Sequence, residues 1–150
     1  MTLKKLAAEM VAMAEEDQRM RQAAQGGKKS FDKSVNVENS NRLKQIIDQI
    51  HAWPTISMVG EEASYAAWLI VQHADHDSTF QERCLKLMFQ AEDDVLLSNI
   101  AYLADRVAVN KGKLQVYGTQ FYNNENGELV PRPIKNPEGL DVRRLKVGNE

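Results

Sequence analysis

Apolar residues in the N-terminal two thirds of the chain recur at helical spacing. Leu6 and Met10 belong to a repeat of three or four residues that predicts a first helix from about Thr2 to Ala24. The glycine pair beginning at Gly26 is expected to end it. The polar stretch from Lys28 to Asn36 predicts a mobile loop, because it offers few side chains for burial.

Two helices are expected after this loop. The repeat from Leu43 to Ile50 predicts the second, with a stop at Pro54, since the residue before a proline is displaced from the α region. The segment from Thr55 to Gly60 is expected to be a connector. An alanine-rich repeat from Ala63 to Ala74 predicts the third helix, whose face would let another helix approach closely.

Capping signals mark two more helices. Ser78 and Gln81 have the spacing of a capping box, which predicts the start of a fourth helix. Asp93 is the expected N-cap of a fifth helix, and Gly112 is expected to end that helix.

The periodicity changes after Gly112. Alternating apolar residues predict a strand from Leu114 to Tyr122, followed by a turn and a short return strand at Leu129. Prolines make the return strand an edge or broken strand, and residues 140–147 predict a closing helix. The predicted fold is mainly α (α+β), with about five helices followed by a C-terminal β-hairpin and a short tail helix. One domain is expected to span residues 1–150.

Composition narrows the classes of function. The chain has 150 residues and a formal charge of -2, with no long basic run, so nucleic acid is not an expected partner. No apolar run reaches the length of a membrane span, which predicts no membrane partner. The first twenty residues predict an amphipathic helix rather than a signal peptide, so a cytoplasmic location is expected. The single cysteine, Cys84, fits a helix face as a small buried hydrophobe.

The third helix ends in a run of polar residues that begins with Gln72 and includes two histidines. His73 lies on or beside the buried face, where it is either a core histidine with satisfied ring nitrogens or a general base at a helix end. His73, Asp75, His76 and Asp77 are sequential rather than spaced by four residues, so they do not predict a metal site.

The fifth helix carries an acidic and a basic residue beside its apolar stripe, Asp105 and Arg106. One interpretation is a structural ion pair that ties the hairpin to the helices, and the other is a role in a polar site.

The predicted first strand is unusually polar. Alternation places Gln115, Tyr117 and Thr119 on one face and Gln120 on the other. Gly118 indicates a close backbone approach or a bulge, which would redirect the side chains that follow.

Several of these short motifs occur together in one known family. The chain resembles a bacterial family of domains of unknown function, and the resemblance covers nearly its whole length. One departure is Ala52, which stands where the family carries glycine before the Trp-Pro pair. The family implies no established activity, cofactor or substrate, but it implies that the polar residues form one site. The residues that carry it are Asp17-Gln18 with Arg21, Trp53-Pro54-Thr55, Gly60, Gln72-His73-Ala74-Asp75, Phe80-Gln81, Asp105-Arg106, Tyr117-Gly118-Thr119-Gln120, Arg143-Arg144 and Gly148.

Two functions of different class remain open. The first is a small enzyme or small-molecule-binding domain for an anionic or carbonyl-bearing ligand, with His73 as acid or base, Asp105 as its orienting group and Arg106 as an anion clamp. No metal or cofactor is predicted. The second is a non-catalytic interaction module, such as an immunity or adaptor protein, in which the polar residues form a structural network. Both predict that His73, Asp105 and Gln120 share one polar cluster. The expected ligand-binding residues of the first function are Asp75, Arg106, Gln115, Tyr117, Thr119, Gln120 and Arg143.

Overall fold

A computed structural model describes residues 2–27 and 31–148, and these residues form a mainly helical fold. Seven α-helices and one two-stranded antiparallel hairpin are present in this described part of the chain. The helices are α1 (Leu3–Gln25), α2 (Ser34–Ile50), α3 (Ile56–Val59), α4 (Glu61–Gln72), α5 (Ser78–Gln90), α6 (Leu97–Asn110) and α7 (Leu140–Lys146), and the strands are β1 (Phe121–Asn123) and β2 (Leu129–Pro131).

The mainly helical class, the hairpin near the C-terminus and the closing helix are confirmed, and the predicted number of helices is slightly low. The difference arises at the expected connector from Thr55 to Gly60, where residues 56–59 form the single turn of α3. No helix in the described ranges is long and apolar enough to cross a membrane.

The first helix begins as predicted, because the Thr2 hydroxyl accepts a hydrogen bond from the Lys5 N–H at 3.2 Å. The predicted loop is shorter than expected. Residues 34–36 belong to α2, whose first N–H is bound by the side chain of Asp32 at 2.9 Å. The loop prediction at residues 28–30 lies outside the described residues.

The second helix ends at Ile50, with His51 as its C-cap, rather than at Pro54. His51 adopts the left-handed conformation with φ of 58°, and its N–H donates to the carbonyl of Ile47 at 2.8 Å. Ala52 has a negative φ, so the turn does not require a glycine at that position. Trp53 follows as a buried core residue, 1% exposed.

Both predicted capping residues are wrong. Asp77 caps α5 by accepting from the Phe80 N–H at 3.1 Å, and Ser78 is the first residue inside the helix. Gln81 is fully buried, and its amide donates to the carbonyl of Val71 rather than completing a capping box. Asp93 lies in a short 3-10 turn before α6, and no side chain in the described part of the chain caps that helix.

The core is built around α4, in which eight of twelve residues are buried. This helix packs against α1, α2, α3, α5 and α6, so five of the other six helices of the described chain are positioned through it. Each fully buried large apolar side chain stabilises the fold by about 1.5–3 kcal/mol. Those that the neighbouring helices contribute include Leu6, Met10, Leu43, Ile46, Ile47, Phe80, Met88, Ile100 and Leu103.

The strand predicted from Leu114 to Tyr122 is wrong over residues 114–120. Only Phe121–Asn123 pairs with Leu129–Pro131, and a single parallel bridge joins Gln115 to Ile134. The N–H groups of Val116, Tyr117 and Thr119 are bound by the side chain of Asp105, so these three cannot take part in a strand ladder. The predicted alternation fails with the strand, since Gln115 and Gln120 are both buried.

Candidate functional site

The polar run at the end of α4 is a junction between helices rather than one site. The α-helix ends at Gln72, and His73 is its C-cap with φ of -88° and ψ of 0°. Successive side chains beyond that point therefore leave the backbone in different directions. The Gln72 amide nitrogen lies 3.4 Å from the carbonyl of Tyr102 in α6, and His73 contacts Asp17 in α1.

The rest of this run contacts α6 and α2. Asp75 binds Arg106 in α6. The Nε2 atom of His76 lies 3.1 Å from the hydroxyl of Ser40 in α2, and Asp77 pairs with Lys44 of the same helix at 2.6 Å. The run thus ties α4 to three neighbouring helices.

His73 forms a dyad with Asp17. The Nδ1 atom of His73 lies 3.0 Å from Oδ2 of Asp17, whose side chain is only 3% exposed. The same carboxylate accepts from Nε of Arg21 at 3.2 Å and from the Gln18 amide at 3.1 Å. Three donors therefore hold one buried carboxylate.

The protonation state of the dyad follows from these contacts. Burial raises the pKa of Asp17, but hydrogen bonds and charge from His73 and Arg21 outweigh it, so the pKa is lowered overall. An ionised carboxylate only accepts hydrogen bonds, so Nδ1 of His73 carries the proton. In the neutral ring, Nε2 then presents a lone pair.

That second ring nitrogen is open. Among the described residues, Nε2 of His73 has no hydrogen-bond partner, and the side chain is 19% exposed. The arrangement has the elements of a general base, namely an imidazole with one nitrogen fixed by a carboxylate and the other accessible.

Arg21 adds positive charge beside the dyad. Its Nη2 atom donates to the side chain of Asn36 at 2.7 Å, and the guanidinium lies 4.2 Å from the ring centroid of Phe31. Its Nη1 atom has no partner within residues 2–27 and 31–148. The start of α2 and the segment before it thus hold the guanidinium against α1.

Asp105 lies in a second, closed group. The residue is fully buried, and its Oδ1 atom accepts from the N–H groups of Val116 at 2.8 Å and Tyr117 at 2.9 Å. Its Oδ2 atom accepts from the N–H of Thr119 at 3.0 Å and from the Thr119 hydroxyl at 2.8 Å. Four donors fill the lone-pair positions of the carboxylate, which leaves no room for a ligand.

Arg106 links this group to Asp75, which lies just beyond the end of α4. Its Nε donates to Asp75 at 2.8 Å, its Nη2 binds the second oxygen of that carboxylate, and its Nη1 donates to Oε1 of Gln120 at 3.0 Å. The Gln120 amide nitrogen contacts the Thr119 hydroxyl at 3.0 Å, which completes a continuous chain to Asp105.

Asp75 is the most accessible member of this chain, with its side chain 42% exposed. Burial raises the pKa of Asp75, but hydrogen bonds from Arg106, Asn110 and Gln81 lower it by more than burial raises it, so the net shift is downward. Asn110 also donates to Oε1 of Gln81, whose own amide donates to the carbonyl of Val71 at 3.1 Å.

Gln115 holds the loop closed from within. Its amide donates to the carbonyls of Gln120 at 2.9 Å and Arg132 at 2.8 Å, while its Oε1 accepts from the Gln120 N–H. The side chain is fully buried. It therefore replaces the backbone pairing that the predicted strand would have supplied.

The tail helix binds the other side of the same loop. Arg143 donates to the carbonyls of Val116, Lys135 and Asn136, and Arg144 donates to those of Tyr117 and Gly118.

The backbone at Gly118 lies close to α7, so of the two alternatives predicted for this glycine, a close approach or a bulge, the structure shows the close approach. Its φ is +67°, and a Cβ there would lie 2.6 Å from Nη2 of Arg144. The loop backbone therefore has Asp105 on its N–H groups and two arginines on its carbonyls.

The predicted single cluster is confirmed for Asp105 and Gln120 and wrong for His73. The partner of His73 is Asp17, so Asp105 does not orient it, and Arg106 is bound to Asp75 rather than placed beside the histidine. The physical reason is the turn at the end of α4, which sends His73 toward α1 and Asp75 toward α6.

Seven residues of the predicted site belong to the closed group around Asp105. Arg143 binds only backbone carbonyls, and Tyr117 takes part through its N–H and carbonyl. The full set is Asp75, Arg106, Gln115, Tyr117, Thr119, Gln120 and Arg143.

Two residues at this position were missed as candidate site residues, namely Asp17 of the dyad and Arg21 beside it. Asp17 follows Met10 by seven residues and Ala14 by three, so it continues the buried stripe of α1. A carboxylate in that position requires a partner, and this was the available signal.

Comparison with known sequences places the chain in a family. The pattern of the Family of unknown function (DUF6624) matches residues 4–150. No curated protein and no solved structure matches the chain. The chain belongs to this family of unknown function.

Proposed function

We propose that this family member is a small-molecule-binding domain, or a small enzyme, that acts on an anionic or carbonyl-bearing ligand at His73. His73 is the acid or base, and Asp17 takes the orienting role first expected of Asp105. The observation that carries the proposal is the asymmetric imidazole, whose Nδ1 is held by a buried carboxylate and whose Nε2 is unpartnered among the described residues.

Physical chemistry favours this use of the dyad. A carboxylate that accepts from Nδ1–H fixes the tautomer and ring orientation and stabilises the imidazolium formed when Nε2 takes a proton. A histidine that serves only to join two helices gains most when both ring nitrogens are bound in the interior. His73 instead keeps one nitrogen accessible.

The choice of ligand class rests on Arg21. Its guanidinium lies against the same carboxylate as His73, and its Nη1 is unpartnered among the described residues. A cationic donor beside a base suits a ligand with a carboxylate, phosphate or polarised carbonyl oxygen.

The second candidate is the non-catalytic interaction module. The closed network around Asp105 favours it for that half of the molecule, because the side chains of Asp105, Gln115 and Gln120 are buried and bound within the protein. Under this proposal, His73 is one more tie between helices.

The two candidates differ in the behaviour of His73. Imidazole nitrogen NMR shifts are expected to show a protonated Nδ1 and an unprotonated Nε2 in the neutral ring. A panel of small carboxylates, phosphates and ketones is then screened by ligand-observed NMR against the native protein and His73→Gln. We expect at least one member to bind the native protein and to lose binding in the variant, with little change in Tm.

His51→Gln is the matched control, because His51 is exposed and lies outside the dyad. It is expected to keep ligand binding. If no panel member binds, or if His73→Gln binds as well as the native protein, the first proposal fails. A large loss of Tm in His73→Gln without any ligand effect supports the interaction module.

A further inference from the structure

A long groove lies between α1 and α4, away from the closed network. Two cavities of about 340 and 480 Å³ adjoin there and share Val11, Glu15 and Glu62 in their walls. On α1 the lining runs from Ala7 to Gln22. At 1.5 Å per residue this is about 22 Å, or roughly four helical turns.

Alanine side chains make up much of the floor and rim of this α1–α4 groove, together with the larger apolar Val11, Val59 and Leu69. Ala7, Ala8 and Ala12 line it from α1, and Ala63 and Ala66 line it from α4. Side-chain size at the contact sets the distance between packed helix axes, so alanines allow a close approach.

The groove also carries acidic groups without partners. Glu15, Glu61 and Glu62 line it, and none of them has a hydrogen bond or ion pair among the described residues. Arg19 is the one basic residue in the described walls, and it is bound to Glu16. The groove therefore combines an apolar floor with three carboxylates that have no side-chain partner among the described residues, two of them in the first turn of α4.

We propose that the α1–α4 groove binds a basic amphipathic helix of a partner protein. The apolar face of that helix packs on the alanine floor, and its lysine or arginine side chains pair with Glu15, Glu61 and Glu62. Helix-in-groove recognition uses this combination, and complementary charge favours encounter and register. A second copy of the chain docked groove to groove brings like acids together, because a two-fold contact apposes the same surface.

The test uses a fluorescein-labelled peptide of about fifteen residues, matched to the groove length. It contains only leucine and lysine, with the leucines on one helical face. Fluorescence anisotropy is expected to show saturable binding that weakens as salt is added, and a leucine–glutamate peptide of the same pattern is expected not to bind.

Four variants locate the binding. Glu15→Gln/Glu62→Gln is expected to weaken the peptide about fivefold or more, since two exposed charge pairs are lost. Glu125→Gln/Glu138→Gln removes the same charge from exposed positions outside the groove and is expected to leave the affinity unchanged. Ala8→Trp/Ala12→Trp fills the groove from two exposed positions and is expected to abolish binding. His73→Gln is expected to bind the peptide normally, which separates this inference from the proposed function.

Four results overturn the inference. The first is no saturable binding of the basic peptide, and the second is equal weakening by both glutamine pairs, which would indicate general charge attraction. The third is binding of spermidine at the same affinity and with the same dependence on Glu15 and Glu62, which would indicate a site for small cations. The fourth is self-association in sedimentation that Glu15→Gln/Glu62→Gln removes, which would make a second copy the occupant.

Discussion

Asp105→Asn is expected to destabilise the fold far more than its small change in shape suggests. The carboxylate is fully buried and accepts four hydrogen bonds from three residues of the loop. An amide keeps one acceptor oxygen and replaces the other with a donor. If the oxygen stays on Val116 and Tyr117, the new NH₂ faces Thr119.

The magnitude follows from the groups left without partners. The Thr119 hydroxyl can rotate to accept from the amide, but the Thr119 N–H then faces another donor in a buried place. An unpaired buried donor costs about 1–3 kcal/mol. The two bonds that remain lose their charged acceptor, so each also loses part of the about 1.5–3 kcal/mol that a hydrogen bond to a charged group contributes. We expect a total loss of about 2–5 kcal/mol in the free energy of unfolding, a large share of a typical 5–15 kcal/mol.

Urea unfolding followed by circular dichroism measures this loss, and native-state hydrogen exchange locates it. Amides of Val116, Tyr117 and Thr119 are expected to exchange faster in Asp105→Asn. Asp48→Asn is the matched control, because its carboxylate is exposed and pairs with Arg83 at the surface. It is expected to change the unfolding curve little. If Asp105→Asn unfolds at the same urea concentration as the native protein, the anchoring role argued for this carboxylate is refuted.

Three further outcomes are expected. The pKa of Asp17 is lowered in the folded state, so its contribution to stability is present above the unfolded carboxyl pKa of about 4 and is lost as pH falls through the folded value. Asp17→Asn should therefore reduce the decrease of Tm with falling pH. The same dependence of Tm on pH in the variant and the native protein would contradict this prediction. Gly118→Ala should lower the free energy of unfolding by about 1–2 kcal/mol because of the left-handed φ alone, and by more because of the contact with Arg144. If chemical denaturation gives the variant nearly the same free energy of unfolding as the native protein, the close packing at this position is contradicted. Burial raises the pKa of the Cys84 thiol to about 12, so a disulfide reagent should label it only in denaturant, and rapid labelling of the folded protein would show that the site is open.

The helices could be predicted because their signal is local. In α1, the residues that recur every three or four positions are those that the structure buries, Leu6, Met10 and Ala14. A helix buried on one face has apolar residues at intervals of three or four positions, so the helix can be predicted without knowledge of the surface that it packs against. The closing helix and the return strand with its prolines were also predicted from local sequence, although α7 has no buried residue that would give it such a period.

The segment from Leu114 to Gln120 shows where local reasoning ends. Its residues have the composition of a strand, yet a carboxylate on α6 binds three of its N–H groups. Local composition cannot reveal that competitor, because Asp105 lies 11 to 14 residues earlier in the chain. A buried side chain with four acceptor positions displaced the ladder that alternation predicts.

The candidate site divides along the same line. Composition and periodicity by themselves determined the mainly helical class and indicated that His73 and Asp105 needed polar partners, because a buried polar group carries a cost wherever it lies. Only the tertiary structure decided which partners they have. His73 meets Asp17 across 56 residues, while Asp75, two positions further on, turns to Arg106. The direction of a side chain beyond a helix end depends on backbone angles and on the packing of distant helices, and neither is encoded in the spacing of neighbouring residues.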